Sequence, residues 1–329
     1  MRQNNRIIVL DQLKGLGILF MIIGHIEFAE CINKYIYSFH MPLFFVVSGY
    51  VYKKSTLKFE KYIKRQAKLL LVPYLVCGIF FSIIFYLSGH SFNVEKVFRN
   101  FVFPNKYPFD WCGAIWFLMA IFIVKIIFEA INRIRIAGVR NFILIFLIAS
   151  GWVIAYKRMK LPLCIDTALI ALGLYLIGYL CRLGSCVITE RLKRGNEVYF
   201  FLAICFGISM LCFANETVNM RENQYGNLGL FYLSGLAGII SWLLIFYIAD
   251  RKKNIFLKKL VFLSDNSIVY MELNQFIIAI FNVLVLARFE SLAIQTLLKL
   301  IEVIFTVGII AVIAKTLGKN SKLKIIVGK

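Results

Sequence analysis

Three residues suited to proton transfer or charge binding lie on one face of the first hydrophobic segment, which reads IIVLDQLKGLGILFMIIGHIE. Lys14 and His25 point the same way on an α-helix, about 16 Å apart along its axis. Asp11, one turn before Lys14, shares that face. Ionisable groups are costly in lipid and usually mark function there. A neutral imidazole such as that of His25 is the natural general base for a hydroxyl nucleophile.

The residue types alone leave other interpretations of His25 open. An intramembrane histidine can simply hydrogen-bond within a helix bundle, and proton-driven transport uses the same kinds of residue. The second segment, YIYSFHMPLFFVVSGYVY, places His40 directly before Met41 and Pro42, with Ser48 and Gly49 further along. Two of the three histidines therefore fall within the first fifty residues.

The elements that must position these residues are membrane helices. The chain has 329 residues, 60% of them hydrophobic, and a mean hydropathy of +0.79, well above the range of soluble domains. We expect an all-α polytopic protein, multi-pass in a cell (plasma or inner) membrane, with one domain whose core is 7–315, followed by a basic tail at 316–329. About ten transmembrane helices are predicted, at 7–27, 36–52, 67–87, 111–131, 140–156, 163–181, 198–214, 228–249, 267–287 and 293–314.

The net charge of +21 follows membrane topology and does not indicate a nucleic-acid partner. Most lysines and arginines outside the predicted spans lie on the side of the N-terminus, so the positive-inside rule places both termini in the cytoplasm. The same residues are expected to contact anionic lipids. The start of the chain lacks a small-residue cleavage site after its apolar run, which favours a retained first span over a signal peptide. The eight cysteines form no CxxC and no Cys/His metal spacing, so no metal is expected.

Arg65 and Lys68 share a helical face just before the third span. Two cations so placed are suited to holding phosphates. An amphipathic helix lying on lipid headgroups explains the same basic stretch.

Further candidate residues lie at or within later spans. Asp166, near the start of the sixth, suits the positive end of a helix dipole. Glu272 and Asn274 are costly in lipid, so we expect both to face the protein interior. Trp116 either lines a pocket or packs. The aromatic loop 88–110 before it is either a partly re-entrant lid or an interfacial belt.

Five motifs then occur in a recognisable order: LDQLKGLGILFMIIGH, YSFHMPLFFVVSGY, KRQAKLLLVPY, AIWFL and IDTALIALGLYLIGY. Together they resemble the acyltransferase-3 family of integral membrane O-acyltransferases, in its fucose O-acetylase-like subgroup, over nearly the whole chain. The resemblance implies a ten-helix domain that takes an acetyl group from cytoplasmic acetyl-CoA. The acceptor it implies is a hydroxyl of a glycan or another envelope molecule.

The resemblance also implies roles for individual residues. Lys14 matches the family's basic residue, which a gap of ten residues separates from its histidine, here His25; the implied roles are cofactor handling for Lys14 and catalysis for His25. Arg65 and Lys68 match a pair of basic residues, with lysine in place of a second arginine, a change that matters for bidentate phosphate contacts. A histidine often stands where this chain has Asn274, and an amide cannot shuttle a proton near neutral pH.

The sequence thus predicts acetyl transfer from acetyl-CoA to a polysaccharide or lipid-linked sugar. His25, oriented by Asp11 or a neighbouring group, is the expected base, with His40 as a further catalytic candidate. Substrate contacts are predicted for Ser48, Trp116, Asp166, Glu272 and Asn274. The alternatives are a non-enzymatic transporter or flippase of lipid-linked sugars, and transfer of another acyl group such as succinyl. The acceptor sugar and the oligomeric state stay open.

Overall fold

The computed structural model describes residues 7–91, 93–183, 197–250, 255–289 and 291–319, so the predicted tail lies mostly outside the described residues. Within these ranges the chain is helical, and its only strand-like pairing is an isolated bridge between Asn219 and Gln224. The predicted all-α fold is confirmed. The helices are α1 (Ile8–Ile26), α2 (Glu30–Tyr50), α3 (Phe59–Leu87), α4 (Val94–Val102), α5 (Trp116–Asn132), α6 (Ala137–Tyr156), α7 (Ile165–Leu183), α8 (Glu197–Ser209), α9 (Leu228–Asp250), α10 (Ile255–Asp265), α11 (Ser267–Leu284) and α12 (Leu292–Lys319).

Nine helical segments among these residues are long and apolar enough to cross a membrane. The remaining predicted span, at 36–52, overlaps α2. This helix is not among the nine candidate membrane spans, because Glu30, Lys34 and His40 make it too polar. This helix packs against α1, α7 and α9 and is largely buried by them. Since protein rather than lipid covers α2, its polar residues avoid the cost of exposure to hydrocarbon.

We name the two ends of the bundle after residues of α1. The Lys14 end is where α1 begins, and the His25 end is where it finishes. At the His25 end the chain returns in α12, where Lys299 Nζ donates a hydrogen bond to the carbonyl oxygen of Glu27 at 2.7 Å. This hydrogen bond places the start of α12 beside the loop that follows α1, at the His25 end.

At the Lys14 end, a buried carboxylate fastens the loop between α2 and α3. Glu129 of α5 is fully buried and pairs with Arg133 one turn later at 2.8 Å. The Tyr52 hydroxyl donates to the Glu129 carboxylate at 2.8 Å, and Arg133 donates to the carbonyl of Leu57 at 2.7 Å. A buried ion pair is stable only when further hydrogen bonds satisfy its charges, so this loop is held in place before α3 begins.

The aromatic loop at 88–110 folds onto α3 at the His25 end. Part of it forms the short helix α4. The Tyr74 hydroxyl donates to the carbonyl of Phe101 at 3.0 Å, and the Phe101 and Phe109 rings lie 4.7 Å apart, edge to face. These contacts bury Phe109 and close the bundle on this side.

Close helix packing depends on glycines where α2 crosses α7. A β-carbon at Gly49 would meet the carbonyl oxygen of Tyr175, and one at Gly178 would meet the carbonyl oxygen of Val46. Small residues let membrane helices approach to backbone contact.

We predict that Gly49→Ala lowers stability by about 1–3 kcal/mol, because the added methyl group must push the α7 backbone away. Thermal unfolding of the purified protein in detergent measures this. Gly308→Ala is the matched control, since nothing lies within 4 Å of a β-carbon at Gly308. Equal unfolding temperatures for the two variants would contradict the packing argument.

Candidate active site

The site centres on a hydrogen bond between α1 and α11. His25 lies in the last turn of α1, and its Nδ1 is 2.5 Å from Oδ1 of the fully buried Asn274. Helix α1 packs closely along α10 and α11. A β-carbon at Gly15 would collide with the carbonyl oxygen of Leu260 in α10, so glycine at that position permits the close approach.

The partners of Asn274 determine the tautomer of His25. Its side-chain Nδ2 donates to the carbonyls of Tyr270 at 2.7 Å and Met271 at 2.9 Å. Because two acceptors engage the amide nitrogen, the amide oxygen is the atom that faces the imidazole. His25 therefore donates from Nδ1, and its Nε2 keeps a lone pair that can take a proton.

A cavity of about 320 Å³ lies beside His25, within the size range of small-molecule sites. Its wall combines methionine and aromatic side chains with a few polar groups. The residues that form it include Met21, Tyr37, His40, Met41, Trp116, Asn219, Arg221, Met271 and Gln275. An adjoining cavity of about 280 Å³ shares His25, Tyr37 and Gln275 and extends past Trp111 and Asn282. The imidazole thus borders two adjoining cavities.

His40 is buried in the wall of the first cavity, at 2% exposure. Its Nδ1–H donates to the carbonyl of Ile36 at 2.8 Å, and the Tyr37 ring lies 5.2 Å from its own. The backbone contact leaves Nε2 of His40 as a hydrogen-bond acceptor. Both histidines of the first fifty residues therefore reach one cavity.

The turn Gly113–Ile115 brings two polar side chains together across the cavity. A β-carbon at Gly113 would lie 3.2 Å from Oε1 of Gln275 and 3.6 Å from Nη1 of Arg221. The Arg221 guanidinium is paired with Glu222 at 2.6 Å. Trp116 follows this turn directly and lines the same cavity.

Asp166 acts on the cavity wall from outside it. Both of its carboxylate oxygens accept from Nδ2 of Asn105, at 2.9 Å each, and Asp166 is fully buried. The next residue, Thr167, donates from Oγ1 to the carbonyl of Met220 at 2.9 Å. The start of α7 thus anchors both the 88–115 loop and the segment that carries Arg221.

Lys160 supports the same segment. Its Nζ donates to the carbonyl oxygen of Glu222. Burial lowers the pKa of Lys160 from its ordinary value, and the Glu222 carboxylate opposes this shift. The segment is therefore fastened on two sides.

The Lys14 end gathers cations. Lys14 pairs with Asp11 at 2.9 Å, and Asp11 also accepts from the Ser264 hydroxyl at 3.5 Å. Arg65 is exposed, and no carboxylate in the described part of the chain forms an ion pair with it. Lys125 of α5 lies close enough to both Lys14 and Arg65 to interact electrostatically. Three helices thus contribute positive charge here.

Several predicted site residues lie away from the His25 cavity. Asp11 is about 21 Å from His25 along the helix axis, so Asn274, and not Asp11, is the neighbour that contacts the imidazole. Ser48 lies two turns beyond His40, about 12 Å towards the Lys14 end. Like the buried Glu272, it does not line the cavity. Exposed Lys68 sits one turn after Arg65 on α3.

Residues 7–316 match the family model described as an acyltransferase domain. The chain belongs to the acyltransferase-3 family. The resemblance to this family that the sequence motifs carry is thereby confirmed.

A curated relative of this acyltransferase is nodulation protein NolL from Sinorhizobium fredii (strain NBRC 101917 / NGR234). The two are 25% identical over 236 residues. The match covers 64% of this chain and 57% of NolL, so the chain spans little more than half the length of that relative. No solved structure matches the chain.

Sequence reasoning did not single out Arg221, Gln275, Tyr37 or Lys125 of the acyltransferase. Arg221 lies in a polar loop whose approach to His25 depends on the contacts of α7. Lys125 carried a usable signal, because an ionisable residue within an apolar span usually faces a functional interior. No group of three or more His, Cys, Asp or Glu side chains in the described ranges is arranged to hold a metal ion.

We predict that Asn274→Ala lowers the acyl-transfer rate of the purified enzyme about ten- to hundredfold. The reason is that the substitution removes the hydrogen bond that holds the imidazole and leaves its Nδ1–H without this acceptor, at a cost of about 1–3 kcal/mol. Asn132→Ala is the matched control, since this amide also donates to a carbonyl of its own helix but lies at the Lys14 end. A wild-type rate for Asn274→Ala in folded protein would refute the orienting role.

Proposed function

We propose that this acyltransferase moves an acetyl group from acetyl-CoA, held at the Lys14 end, to a hydroxyl of a cell-envelope or exported polysaccharide at the His25 end. The observation that carries the proposal is His25 itself. Its Nδ1 is engaged by Asn274, its Nε2 is left to accept a proton, and a cavity of about 320 Å³ lies beside it. This is the arrangement that a general base for an alcohol requires.

The Lys14 end has the charges that a phosphate-bearing donor needs. Arg65 and Lys68 are exposed cations on one face of α3, and Lys125 interacts electrostatically with both Arg65 and Lys14. Cations from several helices suit the phosphates of CoA. The axial separation of about 16 Å between Lys14 and His25 suits the long, thin pantetheine arm better than a compact substrate.

The chemistry proposed for His25 is one proton transfer in each direction. Its Nε2 takes the proton of the acceptor hydroxyl while the hydroxyl oxygen bonds to the acetyl carbonyl carbon. The carbon–sulfur bond breaks, and His25 returns the proton to the departing sulfur, giving an ester and a free thiol. Arg221, Gln275 and the Trp116 ring line the space where the acceptor would be oriented.

Membrane orientation is part of the proposal. We place the Lys14 end and both termini in the cytoplasm, where acetyl-CoA is found. The distribution of basic residues supports this through the positive-inside rule. The acceptor would then meet His25 on the opposite side of the membrane.

We predict that His25→Gln lowers acetyl transfer about 10²- to 10⁴-fold, since that is the usual contribution of a general base. NMR of the cell-surface polysaccharide would show loss of its O-acetyl signal, and the purified variant would fail to consume acetyl-CoA. His90→Gln is the matched control, because His90 stacks on Phe85 outside the cavity. A wild-type protein that neither transfers acetyl groups nor hydrolyses acetyl-CoA would indicate a transporter instead.

A second prediction concerns the donor. Lys125→Met should raise the KM for acetyl-CoA several-fold and leave the KM for the acceptor unchanged, because it removes one charge from the cation cluster. Lys64→Met is the control, since Lys64 is exposed and lies on a different face of α3 from Arg65. Equal donor KM values for both variants would exclude Lys125 from the donor site.

A further inference from the structure

A second cavity, of about 440 Å³, opens at the His25 end between the end of α6 and the segment before α9. One wall carries the rings of Trp152 and Tyr156. The facing wall carries the amide side chains of Asn223, Gln224 and Asn227. None of the roles assigned so far uses this cavity.

One short hairpin separates this cavity from the one beside His25. Asn219, in the wall of the His25 cavity, and Gln224, in the wall of the second, exchange backbone hydrogen bonds of 2.8 and 3.0 Å. Paired strands lie about 5 Å apart. Only the width of this hairpin therefore lies between the two spaces.

Both rings of the aromatic wall are open to a ligand, and that of Trp152 is packed against a neighbouring ring. Trp152 is 41% exposed and Tyr156 is 88% exposed. The Trp152 ring lies 5.6 Å from that of Tyr232, whose hydroxyl donates to the carbonyl of Ile170 at 2.6 Å. An exposed ring backed by a fixed neighbour presents a flat apolar face with little loss of side-chain entropy on binding.

The polar wall suits hydroxyl groups better than phosphate. The exposed amide of Gln224 supplies both a donor and an acceptor. Asn223 donates from Nδ2 to the carbonyl of Met159, and Asn227 accepts at Oδ1 from the N–H of Leu230, which leaves Oδ1 of Asn223 and Nδ2 of Asn227 outside these contacts. The charge of Arg158 is offset by Glu216, whose carboxylate lies 3.3 Å away. A neutral ligand with one apolar face and many hydroxyls, which is the chemistry of a sugar ring, matches this combination.

We propose that the second cavity binds sugar units of the acceptor next to the unit that is acetylated, so that the acceptor is recognised as an oligosaccharide or polymer and not as a single sugar. This inference rests on the proposed function, since it takes the acceptor to be a glycan. An acceptor of several sugar units would reach across the hairpin, with one hydroxyl at His25 and neighbouring rings against Trp152 and Tyr156. The substrate class is thereby narrowed to extended glycans.

The test compares acceptors of different length. The probe is envelope polysaccharide from the source cells, freed of O-acetyl groups with mild base, cut into size-graded fragments and hydrolysed to its single sugars. Trp152→Ala and Tyr156→Ala are expected to raise the KM for long fragments about five- to tenfold, as loss of a ring contact would. The KM values for single sugars and for acetyl-CoA should stay at wild-type levels.

Two further variants keep the test independent of folding. Trp152→Phe retains an aromatic face and should keep most of the affinity for long fragments. Phe142→Ala removes another exposed ring of α6, outside the cavity, and should change nothing. If Trp152→Ala behaves like Phe142→Ala, or if it affects single sugars as strongly as long fragments, the inference is overturned.

A binding measurement separates this inference from the proposed function. Saturation-transfer NMR on the His25→Gln protein should detect the long fragments, and the added Trp152→Ala substitution should weaken their binding about five- to tenfold in a titration. Transfer that persists in His25→Gln would overturn the proposed function. Normal transfer by the wild-type protein, with fragment binding indifferent to Trp152, would overturn only the second cavity as a glycan site and leave its rings as membrane-interface residues.

Discussion

The hydrogen bond between His25 and Asn274 is the interaction on which the rest of the site depends. It joins the first helix to one that begins more than two hundred residues later. It forms because Asn274 donates both amide hydrogens to carbonyls of its own helix, which leaves the amide oxygen facing His25. An amide at this position, where a histidine would add a further titratable ring, fixes the tautomer of His25. The His25 imidazole then has one nitrogen, Nε2, outside this hydrogen bond.

The separation of charge between the two ends of the bundle follows from the same helix. Its beginning carries the Lys14–Asp11 pair among cations from α3 and α5, and its last turn carries His25. Between these ends the helix is lined mainly by apolar and small residues, since a buried ionisable group there would carry a high desolvation cost. Glu129, a buried carboxylate on α5, offsets its desolvation cost through hydrogen bonds from Tyr52, Ser55 and Arg133. The same bonds hold the loop that leads to Arg65.

Much of the fold was predictable from the lengths of the hydrophobic segments, because a helix that crosses the membrane needs about twenty consecutive apolar residues. The second helix is the instructive exception. Its sequence is too polar for a membrane span by composition. The helix is nevertheless well buried, because other helices and not lipid surround it. The segment at 215–227 was the least predictable part. It reads as a polar loop, and its position beside His25 depends on hydrogen bonds from Thr167 and Lys160 that no local pattern encodes.

The sequence by itself determined the membrane class, the helical fold and the acyltransferase family, along with the shared face of Lys14 and His25. These follow from local physics and motif order, since hydropathy and helical periodicity act within one segment. Only the tertiary structure decided which group holds His25 and that Arg221 and Gln275 both line the cavity beside it. Both depend on how segments distant in the sequence pack, since that packing brings Asn274 to hydrogen-bond distance of His25 and sets the loop of Arg221 against the cavity.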